Sequence, residues 1–430
     1  SYVYKRQFIS ILFKNAVIEH DEGPDKDGGY GPYIQSERKS LYLDYAKELV
    51  EKGGAYYCFC SKERLDTLKD DKGIAKYDKH CLSLSKEEVQ KRLDAGESYV
   101  IRQNVPADGV SEYEDMVFGH ISVPNEDMED NILIKSDGMP TYNFANVVDD
   151  HLMGINYVIR GVEYLSSTPK YNLMYDAFGW ERPRYMHLSP IMKDAQRKLS
   201  KRYGDANFED FIEKGYLPKA IVNYIALLGW SPKGNEEKLT MEQLVEQFDV
   251  DGISKSPSIF DEAKMRWLNG EYIKAMSVDE FVEAAKPFLD NSKVKDKYDY
   301  RALAKLLIPR VEILGEIPEK VNFLEEFSEY DTAMFEHKKM KITKEIALNS
   351  LLAIEEDLKD FEEWTDELLK QKGMALAEKL GCKSGQIFLP FRLALTGAQT
   401  TPGGATEMAE LLGKSESMRR LRFSIELLQK

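Results

Sequence analysis

The sequence lacks any long run of apolar residues. A helix that crosses a membrane needs roughly 18 of them in succession, and the nearest approach, residues 220–230, contains Asn223. Internal repeats and low-complexity segments are absent as well. The lack of a long apolar run excludes a membrane-spanning protein.

Cysteine is scarce, with 4 residues in 430. A disulfide-stabilised secreted scaffold needs a much denser set. The N-terminus, which begins at Ser1, also lacks the charged, then apolar, then small-residue order of a secretory signal. We therefore predict a cytoplasmic protein with reduced thiols.

Positive charge is in deficit, because 59 Lys and Arg face 74 Asp and Glu, for a net charge of -15. This balance excludes a protein that binds nucleic acid through its overall charge. A polyanion would need a local basic patch, and residues 371–430 are the better candidate, with 9 basic and 5 acidic side chains. Solvated helix faces would produce the same counts.

The length predicts two to four domains. Near the N-terminus, Ser36 opens a predicted helix whose apolar face is Leu41, Tyr45 and Leu49, followed by a strand-like stretch at 55–60. The lysine-rich residues 61–105 have the pattern of an inserted module.

Short apolar runs at 131–135, 143–148 and 157–159 then predict buried strands, and residues 166–178 predict a helix with Pro169 in its first turn. Beyond residue 208 the pattern is helical, with capping-box pairs Thr240/Gln243 and Ser277/Glu280 and helical periodicity at 303–308 and 367–380. The sequence thus predicts an α/β part with an insertion, followed by an all-α part.

The most informative motif is Lys198-Leu-Ser-Lys-Arg202, in a loop-like context after an apolar run. Two ammonium groups on such a loop, Lys198 and Lys201 around Ser200, can follow the triphosphate of ATP and neutralise charge on leaving pyrophosphate. A surface lysine cluster is the alternative, and Ser254-Lys255-Ser256-Pro257 is a rival motif.

Several longer motifs follow one another in a fixed order. They include Gly-Pro-Tyr-Ile-Gln-Ser-Glu-Arg at 31–38, and further stretches lie at 135–151, 158–169, 194–202, 224–232, 260–267 and 392–397. Together, over roughly residues 8–430, they resemble a bacterial-type glutamyl-tRNA synthetase. Several long matches in order are far more specific than the lysine-serine tetrapeptide alone.

The resemblance implies a class I Rossmann catalytic domain, N-terminally truncated and split by a connective module, followed by an all-helical anticodon-binding domain. It implies these regions: a Rossmann remnant at 1–37, an acceptor-binding insertion at 38–130, a second Rossmann half at 131–190, a stem-contact region at 191–274 and the anticodon-binding domain at 275–430. It also implies ATP with Mg²⁺, glutamate and tRNA(Glu) as partners of a monomer, and a reaction through glutamyl adenylate.

The resemblance carries over to individual residues. Lys198, Leu199 and Lys201 would bind ATP, with Ser200 in the same catalytic loop. Arg160 would hold the side-chain carboxylate of glutamate, since its planar fork suits a bidentate contact. The alternative is an arginine paired with Asp149 or Asp150. The other positions that match the amino-acid site are Tyr142, Asn146 and Glu163, which otherwise read as ordinary polar residues of the core.

One departure concerns the N-terminus. The family's first strand, its Pro-Ser-Pro-Thr-Gly loop and the first class I signature are absent from the sequence, and residues 1–7 match nothing in the family. We therefore expect the chain as written to be catalytically weak or inactive, whatever its parent does.

A second departure concerns the cysteines. Cys58, Cys60 and Cys81 resemble a zinc site of some family members, but Ser83 stands where those members place the fourth ligand. His80 is adjacent to Cys81 and poorly placed to share an ion. Structural zinc takes four ligands, so the sequence favours reduced cysteines over zinc.

Three other readings compete. A glutaminyl-tRNA synthetase usually ends in β-barrels, which the helical C-terminal pattern disfavours. A short paralogue that glutamylates a modified tRNA base lacks the anticodon-binding part, so the presence of residues 275–430 disfavours this alternative. A non-catalytic tRNA-binding fragment stays open.

Overall fold

The computed structural model describes residues 18–68, 76–199 and 207–430. Serine 200 and Lys201 of the predicted ATP loop therefore lie outside the described residues. The chain divides into two compact units, one formed by residues 1–200 and 225–260 and the other by residues 201–224 and 261–430. Packing defines these units, and the five functional regions above stay predictions.

The first unit begins with a 3₁₀ turn, Gln35–Arg38, that leads into the helix Lys39–Glu51. The helix buries Tyr42, Ala46 and Leu49, while Leu41 is 37% exposed. The predicted helix is present, and its buried face is rotated by about one residue from the predicted one because Tyr42 packs inward with its hydroxyl on Asp149.

An antiparallel three-stranded sheet has the order β1 (Ala55–Cys58), β2 (Val100–Gln103), β5 (Ile132–Ile134). Between β1 and β2 lie the short elements of the insertion. They are Lys62–Asp66, the 3₁₀ turn His80–Ser83 and Lys86–Asp94. Together with neighbouring helices, these strands enclose a core that includes Ile101 and Leu133.

A second sheet has the order β4 (Gly119–Pro124), β3 (Val110–Asp115), β7 (Arg184–Leu188), β6 (Tyr157–Gly161). Strands β3 and β4 are antiparallel, whereas β7 runs parallel to both β3 and β6. The helix Thr168–Phe178 connects β6 to β7, with Pro169 in its first turn as predicted. This βαβ unit brings the carboxyl ends of β6 and β7 to one edge, where α/β folds present ligand-binding side chains.

The predicted strand at 143–148 was wrong. These residues lie within the helix Tyr142–Leu152, which buries Phe144, Ala145, Val147 and Val148. The spacing of these residues fits helical as well as strand burial, so a short apolar run does not separate the two. Polar groups recur every four residues on the other side of the helix, which is a helical period.

The remaining elements of the first unit include β8 (Ile191–Met192), which pairs in parallel with β9 (Ser258–Ile259). The helix Met241–Gln247 begins with the predicted Thr240/Gln243 capping box, in which both reciprocal bonds are present. Other elements are the 3₁₀ turns Asn125–Asp127, Val162–Tyr164 and Val250–Gly252. The helix Pro218–Gly229 contains one of the boundaries between the two units.

The second unit is helical. Its helices are Phe208–Lys214, Glu262–Lys274, Val278–Asp290, Tyr300–Leu307, Ile317–Val321, Lys344–Leu358, Asp366–Lys379, Ser384–Thr396 and Ala405–Gln429, with 3₁₀ turns Ile308–Arg310, Leu314–Glu316, Asn322–Leu324, Thr332–Phe335 and Lys338–Met340. Both predicted helical stretches and the Ser277/Glu280 capping box are confirmed. Across residues 271–430, all of which are described, the helices are joined by loops and one isolated bridge between His337 and Ile342.

Two apolar clusters form the core of this unit, one centred on Phe281, Leu303 and Ile317 and the other on Leu351, Phe391 and Leu421. The helix Ala405–Gln429 is interrupted at Gly413, whose φ of 74° is left-handed. Among the described residues, no helix combines the length and the apolar character that a membrane span requires.

Candidate active site and cysteine cluster

Arg160 lies near the carboxyl end of β6, with a side chain that is 13% exposed. Its Nη2 lies 3.6 Å from Asp150 Oδ2, which is a loose ion pair. Its Nη1 is buried and has no hydrogen-bond partner within the described residues. A buried guanidinium donor without a partner is costly, so this geometry suits an additional anionic acceptor.

Three tyrosine rings surround this guanidinium. The distances from Arg160 Cζ to the ring centroids are 5.8 Å for Tyr142, 5.4 Å for Tyr164 and 5.1 Å for Tyr171. Burial raises the pKa of Tyr171 to about 12. Neutral rings attract a cation without cancelling its charge, so the cage holds the arginine and leaves it able to bind an anion.

The helix Tyr142–Leu152 supplies one wall of the cage. Tyr142, Asn146 and Asp150 follow one another at four-residue spacing on its side facing Arg160, and Asn146 Nδ2 donates to the Tyr142 carbonyl at 2.9 Å. Burial, with a contribution from Asp149, raises the pKa of Asp150 to about 6 against the opposing effect of Arg160. The neighbouring carboxyl therefore neutralises Arg160 only partly near that pH.

Asp149 has a different role. It accepts from Arg38 Nε at 2.8 Å and from the Tyr42 hydroxyl at 2.7 Å, and Arg38 is only 3% exposed. These bonds join the helix that carries the cage wall to the helix Lys39–Glu51. Of the two carboxylates in the alternative interpretation, Asp150 is therefore the one beside Arg160.

Glu163 lies in the 3₁₀ turn Val162–Tyr164 and is exposed. Its carboxylate folds back against Gly161, where an added Cβ would lie 2.4 Å from Glu163 Oε2. The absence of a side chain at Gly161 therefore leaves room for Glu163 at the mouth of the strand end.

A buried polar network, which sequence reasoning missed, supports the turn Val162–Tyr164 through the Tyr164 carbonyl. His187, at the end of β7, has Nδ1 2.7 Å from Asp115 Oδ2 and Nε2 3.3 Å from Thr168 Oγ1. The Thr168 hydroxyl donates to the Tyr164 carbonyl at 2.9 Å. The network thus links strands β3 and β7 to the backbone of a cage tyrosine.

The predicted ATP loop follows β8. Leu199 N donates to the Ile191 carbonyl at 3.0 Å, and Lys198 is exposed and bridged to Met192. Asp194 Oδ1 accepts from the backbone N–H groups of Gln196 and Arg197, both at 3.0 Å. The described part of the loop is thus a tight turn that presents the Lys198 ammonium to solvent.

The cysteines of the insertion form a compact cluster. The sulfurs of Cys58, Cys60 and Cys81 all lie within 4.8 Å of one another. The Tyr77 hydroxyl oxygen lies 3.3 Å from Cys58 Sγ and 3.4 Å from Cys60 Sγ, and it accepts from the Cys81 backbone N–H at 3.2 Å. The Tyr77 hydroxyl, which sequence reasoning overlooked, thus lies beside the cysteine sulfurs.

The surroundings of the cluster act unequally on its thiols. Burial raises the pKa of Cys60 to about 11. The pKa of Cys58 is lowered although burial opposes this, because hydrogen bonds from Tyr77, the Cys60 backbone and Arg102 favour its thiolate. The three sulfurs are ligand atoms that zinc prefers, and a four-coordinate ion would need one further donor beside them.

The positive charge of residues 371–430 is largely committed to ion pairs. Basic side chains of this segment that pair with carboxylates are Lys372, Lys414, Arg419, Arg420, Arg422 and Lys430. Arg392 instead donates to the Gln399 carbonyl at 2.9 Å, and burial lowers its pKa. The net charge of a segment therefore overstates the positive charge available to a partner.

Comparisons with known proteins agree with this architecture. Residues 12–267 match the family model described as tRNA synthetases class I (E and Q), catalytic domain, and residues 280–425 match an anticodon binding domain. The α/β unit with Arg160 at a strand end and the helical unit therefore correspond to the domains of a class I tRNA synthetase.

The similar proteins narrow the class. A glutamate–tRNA ligase of Clostridium acetobutylicum is 54% identical over 99% of this chain and 90% of its own length, and one of Clostridium novyi is 55% identical over 99% and 89%. A crystal structure of a glutamate tRNA ligase from Elizabethkingia meningosepticum in complex with its amino acid has a TM-score of 0.87 at 31% identity, covering 98% of this chain and 89% of that one. The chain belongs to the glutamate–tRNA ligase family.

Proposed function

We propose that this chain acts in the ATP-dependent activation of glutamate to glutamyl adenylate and in the transfer of the glutamyl group to the 3′ end of tRNA(Glu), at a rate that the sequence predicts to be low. The observation that carries the proposal is the caged Arg160, whose Nη1 is buried without a partner among the described residues. The family to which the chain belongs supports the same activity.

Arg160 binds the side-chain carboxylate of glutamate, because a guanidinium fork with a spare donor matches a second carboxylate. Tyr142 and Asn146 contact the amino acid from the neighbouring helix face, and Glu163 assists at the open end of β6. In the absence of glutamate, Asp150 gives partial compensation at 3.6 Å.

Lys198 and Leu199 bind ATP together with Ser200 and Lys201, and Mg²⁺ accompanies the nucleotide. The α-carboxylate of glutamate attacks the α-phosphorus, the bond from that phosphorus to the pyrophosphate oxygen breaks, and the ammonium groups neutralise the leaving pyrophosphate. The terminal ribose hydroxyl of tRNA then attacks the acyl carbon of the adenylate and loses its proton, and AMP leaves as the bond to its phosphate oxygen breaks. Catalysis therefore consists of positioning and charge stabilisation.

The regions take the roles that the family implies. Residues 38–130 receive the acceptor end, residues 191–274 contact the stem and residues 275–430 bind the anticodon, as a monomer in the cytoplasm. The anticodon-binding match over residues 280–425 supports the last of these roles.

The test is the binding of glutamate to the full chain by calorimetry, together with glutamate- and tRNA(Glu)-dependent pyrophosphate exchange. We expect Arg160→Met to weaken glutamate binding about 100-fold, in line with the loss of two charge-assisted hydrogen bonds. Arg184→Met is the matched control, because Arg184 lies on the adjacent strand over the ring of Tyr157 at 5.6 Å. Equal losses in the two variants would refute the role of Arg160.

The same purified chain can be used to distinguish a non-catalytic tRNA-binding protein from the ligase. Filter binding to tRNA(Glu) without glutamate binding or pyrophosphate exchange would support a non-catalytic tRNA-binding protein. The match of residues 280–425 to an anticodon binding domain supports this second candidate function.

We also propose that Cys58, Cys60 and Cys81 hold a structural zinc ion with Tyr77 as the fourth donor. The donor geometry supports this proposal over the reduced cysteines favoured by sequence alone, since a fourth donor is now present. Metal analysis of the purified chain should find about one zinc per chain, and Cys81→Ser should abolish it. A zinc-free, folded chain after refolding with excess zinc would refute it.

A further inference from the structure

Arg102 lies on the face of the β1–β2 sheet that carries the cysteine cluster. In the antiparallel register it is directly opposite Tyr56, and Cys58 lies two residues further along β1. Side chains two residues apart on a strand share a face. Arg102, Tyr56 and Cys58 are therefore neighbours by the geometry of the sheet.

Arg102 supports the tyrosine of the cluster. Its Cζ lies 4.2 Å from the centroid of the Tyr77 ring, and the Tyr56 ring stacks near Tyr77 with centroids 6.5 Å apart and planes 20° from parallel. A guanidinium stacked over an aromatic face restrains the ring. The Tyr77 hydroxyl is thereby held among the three sulfurs.

The charge of Arg102 is not matched by a carboxylate from residues 18–68, 76–199 or 207–430. The side chain is 8% exposed, and within the described residues no carboxylate lies at ion-pair distance from it. Its Nη1 donates to the Asp130 backbone carbonyl at 3.1 Å, and its Nε is buried without a hydrogen-bond partner in the part of the chain that the structure describes.

The nearby Asp130 carboxylate is already engaged. It lies 3.0 Å from Lys79 Nζ and accepts from the Tyr56 hydroxyl at 2.5 Å and from the Val105 N–H at 3.1 Å. An arginine buried without an anion is unfavourable. A negatively charged group bound at the cysteine cluster would therefore complete the surroundings of Arg102.

A zinc ion bound by three thiolates supplies that charge, since a dication and three monoanions sum to a charge of about −1. We propose that Arg102 is the counter-ion and positioning residue of the cluster, compensating the metal-bound thiolates while holding Tyr77 in place. This inference rests on the zinc proposal above, and outer groups of this kind typically change metal affinity by about 10- to 100-fold.

The test is competitive titration of the full chain with Zn²⁺ against a chromophoric chelator. Arg102→Met should weaken zinc binding about 10- to 100-fold, and Arg102→Lys, which keeps the charge but loses the flat face, should weaken it several-fold. Arg92→Met is the matched control, because Arg92 stacks on Phe59 at 5.5 Å but is already paired with Glu88 at 3.1 Å. It should leave zinc affinity unchanged within about twofold.

A double-mutant cycle with Tyr77→Phe separates the two parts of the role. If Arg102 acts partly through the tyrosine, the effect of Arg102→Met should shrink in the Tyr77→Phe background. The absorption of the Co²⁺-loaded chain gives a second readout, because displacement of Tyr77 changes the visible bands of a tetrahedral site.

The outcomes are distinguishable. A wild-type chain that binds no zinc overturns the zinc proposal, and this inference with it. Zinc binding that is equally tight in wild type, Arg102→Lys and Arg102→Met overturns the inference about Arg102 alone. If Arg102→Met fails to fold by circular dichroism, the Arg102→Lys affinity and cobalt spectrum decide, and wild-type values in both overturn it.

Discussion

Two buried arginines in different parts of the chain differ in how completely they are satisfied. Arg420, in the helical unit, donates to the carbonyls of Leu395, Phe323 and Leu324 and pairs with Glu416 at 2.7 Å. Arg160, in the α/β unit, has within the described residues one carboxylate at 3.6 Å and an Nη1 without a hydrogen-bond partner. Among the described residues each nitrogen of the Arg420 guanidinium has an acceptor, whereas Nη1 of Arg160 has none.

The neighbouring carboxyls show the same contrast. Hydrogen bonds from Arg419 and Arg420 lower the pKa of Glu416 to about 2, whereas burial raises the pKa of Asp150 to about 6 although Arg160 is nearby. Close hydrogen bonds stabilise a carboxylate, and a 3.6 Å contact in a buried site does not offset its desolvation. A buried arginine therefore indicates a binding site only when the surrounding residues leave one of its nitrogens without an acceptor.

The largest expected effect is on stability and concerns Arg420. Arg420→Met should lower the free energy of unfolding by about 3–5 kcal/mol, because it leaves three carbonyls without this donor and removes one of the two arginines that bind Glu416. Urea denaturation measures this loss. Arg419→Met, which removes the exposed arginine beside it, is the control and should cost about 1 kcal/mol or less; similar losses in both variants would contradict the assignment.

The next effect is the pH dependence set by Asp150. Its folded pKa is raised, so its favourable contribution is complete below the unfolded pKa of about 4 and is lost as pH rises through about 6. Relative to Asp150→Asn, the wild-type chain should therefore lose about 2–3 kcal/mol of stability across this window. Parallel stability curves for the two proteins between pH 4 and 7 would disprove it.

A smaller effect separates charge from geometry at Arg160. Arg160→Lys keeps the positive charge but loses the planar fork, so glutamate affinity should fall about 10- to 30-fold, less than for the methionine variant. The free energy of unfolding should change by about 1 kcal/mol or less, unlike that of Arg420 variants. Calorimetry measures the affinity and urea denaturation the stability. A large loss of stability would show that Arg160, like Arg420, mainly stabilises the fold.

The smallest effect belongs to Glu416, which is one-third exposed. Its folded pKa is lowered, so its contribution is present above the unfolded pKa of about 4.5 and is lost as pH falls toward about 2. After allowance for solvent screening, Glu416→Gln should cost about 1 kcal/mol at pH 7 and nothing near pH 2. The contribution of Glu416 to stability should therefore grow with rising pH, whereas that of Asp150 should fall. The same direction for both residues would contradict the comparison.

Some of the site could be predicted from sequence. Arg160, Tyr142, Asn146 and Glu163 were chosen through family resemblance, and all four lie at or beside one strand end or the adjoining helix. The incorrect strand prediction at 143–148 could not explain why these residues lie together. Only a helix places Tyr142, Asn146 and Asp150 on one side, toward one arginine.

Other partners carried no usable sequence signal. Tyr164 and Tyr171 reach Arg160 from a turn and a different helix, and Tyr77 approaches the cysteines from a loop. The Asp115–His187 contact spans 72 residues of chain. Periodicity reports neighbours within an element, whereas these contacts depend on how separate elements pack.

The sequence by itself determined the division into an α/β part and a helical part, the helix ends at Thr240 and Ser277, and the family, because local periodicity, capping and motif order are properties of consecutive residues. Only the tertiary structure decided which arginine is satisfied and which is free to bind. That outcome depends on distances between groups far apart in the chain, and hydrogen bonding and burial act only through those distances.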